Sequence, residues 1–137
     1  MKIPMLVLLH LIMFADLHRS NDCSKLRNGT FYFYPPDGSG PYQLIRNDSV
    51  QKEIDLKTFD TSFFQIEWTG DCTANVHLVR TTRRLSPDLK EFLFSHVTAT
   101  SIINISDDYY VFTAALDSLA SPYAVTDTVW LREKHQQ

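Results

Sequence analysis

The sequence predicts a mainly β domain: an antiparallel meander of about eight strands, folded into a small barrel or a sandwich, with one short helix near residues 86–95. Short runs of β-branched and aromatic residues recur at spacings of roughly 8–14 residues. Turn residues separate these runs, and only one segment carries helix signals. The 137 residues are a one-domain length. Closure into a barrel would also leave no exposed sheet edge.

The first three predicted strands are Thr30–Tyr34, Tyr42–Arg46 and Val50–Asp55. The first is β-branched and aromatic, which favours a pleated strand. The segment PPDGSGP between the first two strands is the strongest turn signal in the chain. Asn, Asp and Ser at positions 47–49 predict a second turn.

The clearest strand is Ser62–Trp68, because Phe64, Ile66 and Trp68 alternate with polar residues. A short connection that ends at Cys72 leads into a second alternating run, Thr73–Thr81. The two runs predict a β-hairpin.

The one predicted helix is Ser86–Ser95. Ser86 suits the N-cap and Pro87 suits the first helical position. Leu89, Phe92 and Leu93 then form an apolar stripe at helical spacing.

Three further strands complete the pattern: Val97–Ile105, Tyr109–Leu116 and Val125–Arg132. Asp107 and Asp108 form the turn between the first two of them, and a segment with Pro122 separates the last two. Seven aromatic residues are assigned to the core, and their bulk favours a filled interior: Phe31, Phe33, Phe64, Trp68, Tyr110, Phe112 and Trp130.

Residues 1–20 are predicted to be a signal peptide, and residues 21–137 a single β-rich domain. Lys2 precedes the apolar run Ile3–Phe14, which is too short to cross a bilayer. A buried N-terminal helix is the alternative. Cys23 also raises the alternative of a lipid anchor, although the residues before it do not form a lipobox.

The chain has two cysteines, Cys23 and Cys72. In an oxidising compartment an even count favours a disulfide, and only one pairing within the chain exists. Two reduced thiols are the alternative. Neither cysteine belongs to a CxxC pair, so the sequence predicts no metal site.

The stretch Phe64–Leu78 reads F-x-I-E-W-x-x-D-C-x-x-x-x-x-L. Together with Cys23, Gly29-x-Phe31 and the Arg46…Gln51-x-Glu53 segment, it resembles a family of small exported, mostly uncharacterised Bacteroidota proteins. Some of its members carry a topoisomerase label that nothing in this chain supports. The resemblance covers roughly Cys23 to Leu78 and implies a calycin-like, or lipocalin-like, meander in the cell envelope or outside the cell. Ala74-Asn75 departs from the family pattern, which has an aromatic residue there.

The formal charge of −3 argues against nucleic acid as a partner. The one basic cluster, Arg80, Arg83 and Arg84, is interpreted as a solvated loop beside a strand end. Arg46 and Glu53 are predicted to form a structural cross-strand ion pair, with ligand orientation as the alternative.

No catalytic residue, cofactor or metal is predicted. His77 and His96 are isolated in the sequence, and the Asp107-Asp108 pair is interpreted as a solvated turn. No phosphate loop, dinucleotide fingerprint or zinc helix occurs.

These observations predict an exported, non-enzymatic, monomeric β-barrel that binds a small apolar ligand. It would be periplasmic, outer-envelope or secreted, with no membrane span in the mature chain. A protein-interaction or structural module of the cell envelope, with an envelope protein as partner, is the first alternative. An unrecognised hydrolase is the second. A connected apolar pocket above about 300 Å³ would favour ligand binding. An exposed apolar patch on one sheet face would favour the module, and a histidine beside a carboxylate would favour the hydrolase.

Overall fold

A computed structural model describes residues 22–135, and these form an eight-stranded, closed, antiparallel β-barrel. Each strand pairs with its neighbour in the chain, and the last pairs with the first. The predicted fold class is confirmed, as a barrel rather than a sandwich. The predicted signal peptide, residues 1–20, lies outside the described residues. The strands are β1 (Asn28–Phe33), β2 (Tyr42–Asn47), β3 (Val50–Asp55), β4 (Thr61–Trp68), β5 (Thr73–Thr81), β6 (Thr98–Ile105), β7 (Tyr109–Leu116) and β8 (Val125–Trp130).

The predicted hairpin is β4–β5, paired from Ser62 with Thr81 to Trp68 with Ala74. A register shift occurs between Phe63 and Phe64, where such an irregularity increases the local twist of the strand. The alternation seen in the sequence holds, because Phe64, Ile66 and Trp68 face the barrel interior while the polar residues between them are exposed.

The two ends of the barrel differ in the length of the connections between strands. The turns β2–β3, β4–β5 and β6–β7 are short, and they lie at the same end as the start of β1. We call this the closed end. The longer connections β1–β2, β3–β4, β5–β6 and β7–β8 gather at the opposite end, which we call the open end.

The predicted helix is present as α1 (Pro87–Ser95), within the β5–β6 connection. The hydroxyl of Ser86 accepts a hydrogen bond from the amide of Leu89 at 3.3 Å, so the predicted N-cap is confirmed. A bond of 2.8 Å joins His77 Nε2 to the carbonyl oxygen of Phe94, which holds the helix against the outer face of β5.

A 3₁₀ helix (Cys23–Leu26), which the sequence interpretation missed, fills the closed end. Cys23 and Leu26 are almost fully buried, at 1% and 2% exposure. They pack into the main hydrophobic cluster with Phe31, Leu44 and Tyr110. The predicted disulfide between Cys23 and Cys72 is present, and it ties this helix to the β4–β5 turn.

The barrel closes along a short seam between β1 and β8. Only two residue pairs join these strands, Tyr32 with Trp130 and Phe33 with Val129. The hairpin β4–β5, in contrast, has seven pairs. The seam is therefore the least extensively paired junction of the barrel.

One predicted core aromatic is misplaced. Trp130 lies on the outer surface, where its ring contacts Tyr109 at 5.2 Å and the ammonium of Lys134 at 3.7 Å from the ring centroid. The preceding residue, Val129, occupies the buried face of β8. Successive side chains of a strand point to opposite faces, so Trp130 faces outward.

No helix among residues 22–135 is long and apolar enough to cross a bilayer.

Candidate ligand-binding cavity

The barrel encloses an inner chamber of about 240 Å³. Every strand contributes to its wall, because the inward-facing residues of each strand alternate with outward-facing ones. No residue of this wall belongs to the exposed class. The aromatic part of the wall consists of Phe33, Tyr42, Trp68, Tyr110 and Phe112.

An outer chamber of about 220 Å³ lies toward the open end. Leu85, Leu93 and His96, from the connection that carries α1, form part of its wall. It reaches the protein surface, since its wall includes the exposed residues Arg83 and Leu116. The two chambers are adjacent, because they share Tyr42, Glu53, Val76 and Thr98.

The interior is not filled, contrary to the expectation from the aromatic content. The aromatic rings line the inner chamber instead of occupying it, since the small residues Ala74 and Ala114 leave space in its wall. Neither chamber alone reaches the volume of about 300 Å³ set for ligand binding. A third cavity, of about 360 Å³, lies on the outer face of β4–β5 and is lined mainly by polar residues.

A chain of polar side chains crosses the inner chamber. The guanidinium of Arg46 donates to Gln51 Oε1 at 2.8 Å, to the carbonyl of Leu26 at 2.7 Å and to the hydroxyl of Tyr110 at 2.9 Å. Gln51 Nε2 then donates to Glu53 Oε1 at 2.8 Å. Gln51 thus bridges Arg46 and Glu53.

This chain corrects the predicted Arg46–Glu53 ion pair. No direct salt bridge joins the two side chains in the described part of the protein. Their strand positions explain why, because the pairing partner of Arg46 on β3 is Gln51 rather than Glu53. The sequence offered one usable signal, since residues 51 and 53 alternate and therefore share a face of β3.

Burial raises the pKa of the Glu53 carboxyl above its usual range. The hydrogen bond from Gln51 and the positive charges of Arg46 and Arg83 act in the opposite direction without reversing the effect. Glu53 is partly exposed, and its side chain borders both chambers.

The two histidines differ in their surroundings. His77 faces outward under α1. His96 is 2.8 Å from Asp117 through Nδ1 and Oδ2, and it lines the outer chamber. Asp117 also accepts a hydrogen bond from the amide of Val97 at 3.3 Å. The pair therefore links the end of α1 to the β7–β8 connection.

The remaining polar residues considered in the sequence do not come together in one site. Asp107 and Asp108 are exposed in the β6–β7 turn, as expected. Arg83 lines the outer chamber, which the solvated-loop interpretation did not anticipate. Arg80 lies on β5 with its guanidinium 4.1 Å from the ring centroid of Phe63.

No protein-family model, curated protein or solved structure matches the chain. Among residues 22–135, no group of histidine, cysteine, aspartate and glutamate side chains has the arrangement of a metal site. The candidate site is therefore defined by its own geometry: an apolar, aromatic-lined chamber with one polar side.

Proposed function

We propose that this protein is an exported, non-enzymatic β-barrel that binds a small, largely apolar ligand in its interior. The observation that carries the proposal is the inner chamber itself, an apolar space with a few convergent polar groups. The volume of about 240 Å³ compares with an engineered cavity of roughly 150 Å³ that binds benzene. A single ring with a short substituent is therefore the size of ligand we expect.

The Cys23–Cys72 disulfide supports the exported part of the proposal, because such bonds persist in oxidising compartments. Thiol titration of protein recovered from its native host tests this part. Protein that carries two free thiols in that compartment would contradict it.

Binding is tested by titrating ¹⁵N-labelled protein with ethylbenzene, a neutral probe of the expected size. We expect chemical-shift changes at chamber residues such as Ala74 and Val129. An Ala114→Phe variant places a ring inside the chamber and should weaken binding by at least about tenfold, which corresponds to the loss of burial for a few methylene groups. Thr113→Phe, on the outward face of the same strand, is the matched control. Equal binding by both variants would place the probe outside the barrel.

An interaction module of the cell envelope is the second candidate, and the distribution of exposed apolar side chains favours it. They do not form the expected patch on one sheet face. Most of them lie around the open end instead: Phe59, Leu89, Phe92, Leu116, Leu119, Tyr123 and Val125. Alanine substitution of Tyr123, which is 86% exposed, should abolish capture of an envelope protein if this rim is the interface.

A hydrolase is the third candidate, and the His96–Asp117 pair is the observation that favours it. Nucleophilic catalysis also needs a hydroxyl or thiol that the histidine activates. Within residues 22–135 no hydroxyl is hydrogen-bonded to His96, and both cysteines form the disulfide. Ester hydrolysis that disappears in His96→Ala would establish this activity.

A further inference from the structure

Glu53 occupies a special position in the interior. Among the described residues that line the inner chamber, it is the only one with a carboxyl group, and it also borders the outer chamber. A ligand that enters from the open end would therefore pass this side chain before it reaches the chamber wall behind it.

The hydrogen bonds around Glu53 leave one acceptor unused. Arg46 is committed to three partners in the protein, and Gln51 is held between Arg46 and Glu53. Gln51 occupies Oε1 of Glu53, whereas no donor in the described part of the chain bonds to Oε2. In residues 22–135, the one fully buried side-chain nitrogen or oxygen without a hydrogen-bond partner is Nε of Arg27. Oε2 of Glu53 also lacks a partner, so it must keep some accessible surface. Glu53 thus has one carboxyl oxygen that keeps accessible surface and has no donor in the described residues, on a side chain that borders both chambers.

Burial also acts on the charge of this carboxyl. Burial disfavours its ionised form more than the Gln51 hydrogen bond and the nearby arginines favour it, which raises its pKa. A positive group placed beside Oε2 would donate a hydrogen bond to this acceptor and would favour the ionised form of the carboxyl.

We propose that the inner chamber binds a small primary amine with an apolar ring, whose ammonium group donates to Oε2 of Glu53. This inference rests on the proposed function and names its ligand class. The aromatic wall suits the ring, and the chamber volume fits a ring with a two-carbon chain. A carboxylate ligand is disfavoured, because its charge would face the Glu53 carboxyl and because Arg46 already serves protein acceptors.

The test compares four ligands of similar size: phenethylamine, phenethyl alcohol, phenylacetate and ethylbenzene. Their dissociation constants are measured by NMR titration at neutral pH with the wild-type protein. We expect phenethylamine to bind at least about tenfold more tightly than the other three, which is the usual effect of a hydrogen bond to a charged group. This comparison needs no variant.

The same titrations with Glu53→Gln should remove the advantage of the amine over phenethyl alcohol and ethylbenzene. Glu67→Gln, an exposed residue on the outer face of β4, is the matched control and should behave as wild type. An amine that binds no better than the alcohol, or no worse to Glu53→Gln, would overturn the inference while ethylbenzene binding still supports an apolar cavity. Failure of all four ligands to shift chamber resonances would overturn the inference and the proposed function together.

Discussion

At the scale of single residues, Arg46 organises the interior more than any other side chain. It lies on β2 yet reaches the 3₁₀ helix, β3 and β7 through three hydrogen bonds. Its guanidinium also lies 4.9 Å from the ring centroid of Phe31. A buried charge with several partners is costly to remove, because each partner is left without a hydrogen bond.

Arg46→Ala should lower the free energy of unfolding by roughly 3–5 kcal/mol, the typical cost of breaking a buried charged network. Urea denaturation followed by tryptophan fluorescence measures this change. Arg84→Ala removes an exposed arginine and should alter stability by less than about 0.5 kcal/mol. Similar midpoints for the two variants would show that Arg46 does not stabilise the fold.

Glu53 should make stability depend on pH. Its folded pKa is raised, so below about pH 4.5 both the folded and unfolded chains hold the proton. As pH rises above that value, the unfolded chain releases its proton first, and the folded state loses stability until the pH passes the raised pKa. The other charged or titratable groups around the two chambers are Arg46, Arg83, Asp60, His96 and the phenols of Tyr42 and Tyr110.

Glu53→Gln should therefore be more stable than wild type at neutral pH, with a difference that shrinks as the pH falls toward 4. Thermal unfolding at a series of pH values measures it. A constant difference across that range would contradict the pKa direction. A side chain that lowers stability and contacts the ligand is a common feature of binding sites.

At the scale of elements, local patterns account for most of the barrel. The alternation in Ser62–Trp68 and the N-cap at Ser86 were sufficient to predict β4 and α1, because both depend on residues close in sequence. The 3₁₀ helix at Cys23–Leu26 was missed because its stability comes from the disulfide and from burial against distant strands. Trp130 was misplaced because its strand pairing, and not its hydrophobicity, decides which face it occupies.

The cavity could be predicted even less well. Its existence depends on the sizes of the side chains that point inward from all eight strands, such as the small Ala114 on the same strand as Tyr110 and Phe112. The Arg46–Gln51–Glu53 chain was only partly visible, because the sequence showed the shared face of β3 but not the register that pairs Gln51 with Arg46.

The β1–β8 seam should open more readily than the rest of the barrel. With two residue pairs against seven in β4–β5, local opening exposes its amides at a lower free energy. Native-state hydrogen exchange should show amides around Phe33 and Val129 exchanging at least about tenfold faster than those of β4 and β5. Equal protection of the two regions would mean that the barrel opens only by global unfolding.

At the scale of the whole molecule, the disulfide joins the start of the described chain to its middle. The cross-link closes a loop with a sequence separation of 49 residues. In the chain-entropy description such a loop stabilises the folded state by roughly 4 kcal/mol, because it restricts the unfolded chain.

The double variant Cys23→Ala, Cys72→Ala should lose about 4 kcal/mol in urea denaturation. Wild-type protein in a reducing agent is the control, and it should lose a similar amount. Unchanged stability in both samples would show that packing alone, without the disulfide, stabilises the closed end of the barrel.

If the barrel binds the proposed amine, its closed end also determines which ligand shapes fit. Among residues 22–135 the 3₁₀ helix fills one end, so a ligand of the inner chamber would leave past Glu53 toward Arg83 and Leu116. A long substituent is then tolerated only if it leaves the ring on the same side as the amine. N-alkylated phenethylamines should keep their place with the tail in solvent, while ring-substituted isomers of equal mass are rejected. An affinity tag on a phenethylamine probe should therefore be attached through the nitrogen.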